Sequence, residues 1–320
     1  MTPPSIAAGA PRVLIVGSGA IGSFYGALLN RAGARVSVVM RSEAEVVRAN
    51  GLQIRSALGD LSFRPEQVLG DVVECQEAPD YLLLCTKVLD DVDRAALIRP
   101  AVGPKTTILL IQNGIDIERD VAAAFPGHTL LSALAFVGVS RVAPGVVEHK
   151  AYGSLTIGRY PQGIGSEAER LAALFEKAGI GIELSGSVVT QRWRKAVWNA
   201  AFNPLSVLAD GADTGVLLGT PEGEALVRGL MAEVCAAAAA DGHALDAQLI
   251  DQYIASTKKM PPYRNSMALD WIHGRPIELQ AILGNVLAAA ARHGTPAPQL
   301  QTVHTAIRLL QASRAQGAAS

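Results

Sequence analysis

The stretch Val13-Leu14-Ile15-Val16-Gly17-Ser18-Gly19-Ala20-Ile21-Gly22 decides how the first half of the chain is read. Its four leading residues are apolar and largely β-branched, the pattern of a strand buried on both faces. The glycines follow at once and open a segment, residues 20–31, with helical patterning. Each glycine has a physical reason. The first allows a tight turn, the second lets backbone approach a pyrophosphate, and the third permits close helix-to-strand packing. The helix start would turn its free N–H groups toward the phosphates. Alone such a pattern is weak, but at the first strand-to-helix turn of a βαβ unit it is strong. Gly17, Ser18, Gly19, Ala20, Ile21 and Gly22 are therefore candidate cofactor-binding residues.

Outward from this turn, short apolar runs alternate with longer segments. Residues 36–40, 81–85 and 108–111 read as further buried strands, and 136–140, 146–148 and 154–157 as strands closing the same domain. A helix is expected over 166–178 and a strand over 180–184. This alternation predicts a mostly parallel sheet covered on both faces, an α/β domain over residues 12–186. After about residue 188 the texture changes to long alanine- and leucine-rich segments, at 188–207, 221–241, 247–257 and 276–293. Residues 187–315 are expected to form an all-α domain. Residues 1–11 read as a disordered tail.

Composition narrows the function. Of 320 residues 49% are hydrophobic and 18% charged, which excludes a disordered chain. A net charge of -1 gives no basic excess, so nucleic acid is not an expected partner. No apolar run is long enough for a bilayer and no signal peptide is read at the start, so a cytoplasmic protein without a membrane partner is expected. Three cysteines without close spacing suit a reducing compartment. Six scattered histidines show no metal-ligand spacing, and no Gly-x-Ser-x-Gly elbow is present, so metal and serine-hydrolase chemistry are not expected.

The strand ends carry further candidates. The second strand ends in Arg41 rather than in an acid that would bind the two ribose hydroxyls of NAD. A guanidinium there can pair with a 2′-phosphate, which favours NADP. Lys87 follows the strand over 81–85, and Asn113 follows that over 108–111, both at the edge where parallel sheets bind ligands. The lysine would face a phosphate, a ribose or a substrate carboxylate. Asn113-Gly114 reads equally as a ligand-binding pair or a plain turn.

In the helical half, Lys195, Asn199 and Asn203 are spaced i, i+4, i+8 and stack along one helix face. Two asparagines among Trp, Val, Ala and Phe demand partners, and a lysine in apolar surroundings has its charged form disfavoured, which helps it give up a proton. A solvated polar stripe is the competing reading. Glu278 follows Pro276 at the start of the helix expected from 276, where it would favour the helix dipole or orient a ribose or an ammonium.

Taken in order, these motifs resemble the ketopantoate reductase (2-dehydropantoate 2-reductase) family from residue 12 to about 310. The resemblance rests on Gly17 to Gly22, Arg41, Thr86-Lys87, Gln112-Asn113-Gly114, Lys195, Asn199, Asn203-Pro204, Ser266-Met267 and Glu278. It implies a Rossmann domain followed by a helical domain like that of 6-phosphogluconate dehydrogenase. It also implies NADPH-dependent reduction of ketopantoate to (R)-pantoate on the way to pantothenate and coenzyme A. Carried over, Lys195 is the general acid and Glu278 contacts the nicotinamide ribose and positions that lysine. Asn113, Asn199, Asn203 and Ser266, with Lys195, hold the keto acid, and Lys87 serves the cofactor side together with Asn113. Asp213 stands where some members have a substrate-contacting asparagine, and Tyr263-Arg264 is bulkier than the usual approach to the serine. Another 2-keto or hydroxy acid, or a non-catalytic NADP sensor, are the alternatives. The apolar helical segments suit a homodimer.

Overall fold

The computed structural model describes residues 9–319. The tail expected over residues 1–11 falls mostly on residues 1–8, which lie outside the described residues. The chain divides into two compact units. The first comprises the chain up to Lys87 with Val92–Gln112 and Ile117–Val188. The second takes everything from Val189 and two short insertions from the first half, Val88–Asp91 and Asn113–Asp116.

The first unit is the expected α/β domain. Its strands are β1 (Arg12–Val16), β2 (Arg35–Val39), β3 (Leu52–Ser56), β4 (Leu61–Phe63), β5 (Val68–Leu69), β6 (Tyr81–Leu84), β7 (Thr107–Ile111), β8 (Leu130–Ala143), β9 (Val146–Arg159) and β10 (Ile182–Leu184). They lie in one sheet of order β4-β3-β9-β8-β7-β6-β1-β2-β5, with β10 on β9. From β5 to β8 every pairing is parallel. The helices are α1 (Ala20–Arg31), α2 (Ala44–Asn50), α3 (Arg94–Ile98), α4 (Arg119–Ala124) and α5 (Ser166–Lys177). Val16 stands opposite both Val39 and Leu84, so the chain leaves β1, β2 and β6 at one edge of the sheet. That register brings Gly17, Arg41 and Lys87 to a common edge.

Two features of this sheet differ from expectation. The strands expected at 136–140, 146–148 and 154–157 are pieces of a long antiparallel hairpin, β8–β9, broken by bulges near Phe136, Gly138 and Arg141. The bulges interrupt the side-chain alternation and hide its continuity. β3 to β5 give no strong strand signal because they are short and half-exposed: β3 alternates buried and exposed positions.

The second unit is all-α: α6 (Val188–Leu208), α7 (Thr214–Leu217), α8 (Pro221–Ala240), α9 (Leu249–Lys259), α10 (Ser266–Ile272), α11 (Asn285–Arg292) and α12 (Pro298–Ala319). Its core gathers Trp193, Val197, Phe202, Val227, Leu230, Met231, Leu283 and Val286, all fully buried. Each large apolar side chain contributes about 1.5–3 kcal/mol on burial. The helix expected from residue 276 starts later. Arg275 donates its N–H to the Asp270 carbonyl at 2.8 Å, and its side chain pairs with that carboxylate at 2.9 Å. Residues 275–278 belong to no helix or strand, and helix begins only at Leu279, entering through a π turn over Gln280–Gly284. Glu278 is thus the capping residue, its carbonyl accepting from Ile282 N–H at 3.1 Å, and not a first-turn residue.

Candidate active site

The glycine turn is shaped by what a side chain would strike. Gly17 has φ +91°, and a Cβ on it would lie 2.7 Å from the Thr86 nitrogen. A Cβ on Gly22 would come within 2.5 Å of the Gly17 carbonyl oxygen and 2.8 Å of Ile15 Cγ2, so only glycine lets α1 sit this close to β1. Gly19 differs, since a Cβ there would meet nothing within 4 Å. Its glycine is not required by the protein's own packing; it leaves room for a molecule close to the backbone. Gly19 also caps α1 without any side-chain hydrogen bond, and no acid sits in the first turn, so that helix end suits an anion. Ser18 Oγ is buried nearby without a hydrogen-bond partner among the described residues. This donor set fits a dinucleotide pyrophosphate.

Around this turn the same unit holds Arg41, exposed two residues past β2, and Lys87, half-buried past β6. Ser18 N–H reaches the Val39 carbonyl at 3.4 Å and ties the turn to the end of β2. Buried side chains not anticipated from the sequence brace the β6 and β7 ends. Gln112 donates to the Thr86 carbonyl at 2.7 Å and accepts from buried Arg94 at 2.9 Å, while Arg94 also holds the Ile117 carbonyl and Asp120. An arginine opening a short helix gives no sequence signal of burial.

In the second unit, Lys195 Nζ donates to Asn113 Oδ1 at 2.8 Å. The insertion Asn113–Asp116 therefore carries a strand-end asparagine onto the helix α6. Gly114 is also a required turn glycine: φ is +114°, and a Cβ would meet the Ala281 carbonyl oxygen at 2.6 Å. The turn reading of Asn113-Gly114 holds, and the asparagine side chain is engaged by Lys195. Burial is the main force that pushes the Lys195 ammonium down to about 8, Arg192 one turn earlier adds to it, and Glu278 opposes it. Arg192 is buried and donates from Nη1 to the Gly114 carbonyl at 3.2 Å. It was legible only as one of several basic residues near tryptophans.

Asn199 and Asn203 share the α6 face with Lys195. Asn203 is 2% exposed, and its Oδ1 is buried without a partner among the described residues. Asn265, a buried N-cap of α10, donates to Ser206 Oγ at 2.7 Å and to the Phe202 carbonyl at 3.3 Å. It brings exposed Ser266 to the same stretch of α6. Glu278 accepts at Oε1 from Val88 N–H at 2.9 Å, so its carboxylate serves the Val88–Asp91 insertion and not the helix dipole alone. Asp213 caps α7, accepting from Val216 N–H at 3.0 Å. Tyr263 stacks parallel to Trp198, ring centroids 6.0 Å apart, and Arg264 is held by the Gly211 carbonyl.

Family models described as ketopantoate reductase PanE/ApbA and ketopantoate reductase PanE/ApbA C terminal match residues 13–162 and 187–311. The chain belongs to the ketopantoate reductase family. It is an oxidoreductase on a Rossmann domain with a family-specific helical domain. Relatives include a 2-dehydropantoate 2-reductase of Nostoc sp., 32% identical over 308 residues, covering 95% of this chain and 96% of that one. Among solved structures, 2-dehydropantoate 2-reductase from Methylococcus capsulatus is 50% identical with a TM-score of 0.89, covering 94% of this chain and 97% of that one. D-mandelate dehydrogenase, solved with NADH and anilino(oxo)acetate, shares the fold at 22% identity and a TM-score of 0.85, over 94% of this chain and 98% of its own. Among the described residues no helix is long and apolar enough to cross a membrane.

Proposed function

We propose that this family member reduces ketopantoate to (R)-pantoate with NADPH, in the cytoplasm, as a step toward pantothenate and coenzyme A. The observation that carries the reading is the Lys195 ammonium, poised near neutrality and held by Asn113 Oδ1 at 2.8 Å on a face shared with Asn199 and Asn203. When bound, the nicotinamide supplies a hydride to the C2 carbonyl carbon of the keto acid. Oxyanion charge then grows on the carbonyl oxygen. Lys195 Nζ is the donor that stabilises this charge and delivers the proton. Asn113 fixes the direction of the ammonium, and Glu278 keeps it charged enough to act. Asn203 Oδ1 needs a donor, and ketopantoate carries a hydroxyl that a plain keto acid lacks. Asn199 and Ser266 offer further donors for the carboxylate. Gly17 to Gly22 would hold the pyrophosphate and Arg41 a 2′-phosphate, with Lys87 on the cofactor side.

Purified protein should consume NADPH absorbance when ketopantoate is added, and NADH far more slowly. Tight NADPH binding without consumption would discard ketopantoate and leave the cofactor reading intact. A second substrate reading rests on the exposed Tyr263 ring stacked on Trp198, which offers an aromatic wall to a bulkier 2-keto acid. A sensor without catalysis would need no lysine held with its charged form disfavoured. Lys195→Ala separates the two, because a sensor keeps its whole function while the enzyme keeps only its NADPH binding. A homodimer belongs to the same reading and is checked by sedimentation.

A further inference from the structure

The Asn113–Asp116 turn does not hold itself. Gly114 and Asp116 are both left-handed, with φ +114° and +57°, a conformation that an aspartate adopts only at a cost. Its shape is imposed by the helical unit through bonds to backbone and side chain. Gly114 carbonyl accepts from Arg192, Ile115 N–H donates to the Ala281 carbonyl at 3.0 Å, and Asp116 pairs with Arg292 at 3.1 Å. Ile115 itself is buried in the helical core.

The remaining bond is the shortest of the set. Asn285 Nδ2 donates to the Ile115 carbonyl at 2.7 Å. Two features prepare it. Asn285 Oδ1 accepts from Gln280 Nε2 at 3.1 Å, which turns the amide so that its N–H group faces Ile115. The π turn does the rest: Asn285 N–H goes five residues back to the Gln280 carbonyl, not four back to Ala281. The Ala281 carbonyl is thereby left for Ile115 N–H, and both backbone groups of Ile115 are satisfied by this one turn of helix. π turns cost regular helix geometry and concentrate where function needs a displaced group. Asparagine is also a weak helix former, so Asn285 at the start of α11 calls for a reason beyond propensity.

The geometry points to Asn285 as a positioning residue: through the Ile115 carbonyl it fixes the turn that carries Asn113, and so the direction in which the Lys195 ammonium is held. The inference rests on the reading of Lys195 as the proton donor. It assigns to Gln280, Ala281 and Asn285 the job of a socket for that turn, which no substrate or cofactor needs to touch.

Asn285→Leu removes the donor at similar volume, Asn285→Asp replaces it with an acceptor, and Asn285→Gln restores a donor on a longer arm. Ketopantoate turnover should fall about tenfold in the Leu and Asp variants and recover in part in the Gln variant, with NADPH affinity unchanged. The decisive readout is independent of turnover: the Lys195 titration followed by NMR in lysine-labelled protein. Asn113 Oδ1 favours the charged ammonium. A loosened turn therefore moves the midpoint below the wild-type value in the Leu variant and back toward it in the Gln variant, while the Asp variant, which adds a carboxylate of its own, is read by turnover alone. Arg192 and Glu278, the charged groups that act on Lys195, are unchanged in all three. A folded Asn285→Leu protein with the wild-type midpoint and turnover overturns the proposal. So does a variant that loses thermal stability while the Lys195 midpoint stays in place, since that describes scaffold alone. Wild-type protein inert toward ketopantoate sinks the substrate reading instead, and the midpoint comparison still decides the role of Asn285.

Discussion

The glycine turn and the Lys195 face are built on opposite principles. At Gly17, Gly19 and Gly22 the protein withholds side chains, and what the turn offers is backbone N–H groups at a helix end. On α6 it does the reverse, setting a buried arginine and a buried asparagine on the helix of a half-buried lysine whose charged form is disfavoured. The first site costs the fold little, because a turn glycine meets its own steric need at two of its three positions. The second works against the fold, since burial pushes the Lys195 ammonium from its ordinary 10.5 to about 8.

The largest effect expected from breaking that contrast is at Lys195. Lys195→Met should lower turnover by about 10²–10⁴-fold, the usual contribution of a positioned general acid. It should also stabilise the protein at neutral pH by ~1–3 kcal/mol, because the depressed ammonium is no longer buried charged. The sign follows from proton counting. Between about 8 and 10.5 the unfolded lysine holds its proton and the folded one has lost it, so wild-type stability rises with pH across that window. Chemical denaturation at several pH values should show this rise in wild type and a flatter profile in the Met variant. A Met variant less stable than wild type at neutral pH would remove the claim that the ammonium works against the fold.

The glycine turn should split by position. Gly17→Ala places a Cβ in a left-handed residue 2.7 Å from backbone and should cost about 1–3 kcal/mol of stability. Gly19→Val should cost less stability than Gly17→Ala, losing only a favoured N-cap residue of α1, yet overpack the cofactor side by about 1–3 kcal/mol, roughly tenfold to hundredfold in NADPH affinity. Equal losses of stability in both variants would show that Gly19 serves packing and that the room beside it has no ligand to serve.

How much of this was legible beforehand follows the same division. The glycine turn is local: strand, turn and helix are contiguous, so Gly17 to Gly22 announce their own geometry. The α6 face is half-local. Its i, i+4, i+8 spacing is visible in sequence, but whether Lys195 faces solvent or protein is decided by packing. What stayed hidden is carried by segments that change units. Nothing in Asn113–Asp116 says that four residues after a sheet strand pack with helices, so Arg192 on Gly114, Asn285 on Ile115 and Arg292 on Asp116 had no sequence signal. Pro276 suggests a helix that includes Glu278, yet the helix starts one residue after Glu278, and the favoured first-turn position of proline does not by itself fix where a helix begins.

Arg41 tests the edge of the first site. It is exposed, so a 2′-phosphate contact there is a charge-assisted bond made in water-accessible surroundings. Arg41→Ala should weaken NADPH about tenfold and leave NADH unchanged, measured by fluorescence titration with each dinucleotide. Equal weakening of both would place the arginine on a shared part of the cofactor.

The smallest effects are the most diagnostic, because two charges act on Lys195 in opposite senses. The proton donor must be charged, so turnover per substrate capture should fall as pH rises past about 8. Arg192 lowers that value, and Arg192→Leu should carry the fall to higher pH. Glu278 raises it, and Glu278→Gln should carry the fall to lower pH, each by about half a unit to one unit. Both substitutions also disturb a positioned loop, through the Gly114 carbonyl in one case and Val88 N–H in the other, so lower rates alone would say nothing about charge. Opposite displacements of the same limb separate electrostatics from damage, since a misplaced loop has no reason to know the sign of the charge removed. If both variants moved the limb the same way, Lys195 would be tuned by its burial alone, and the charged neighbours would be there to hold the turns.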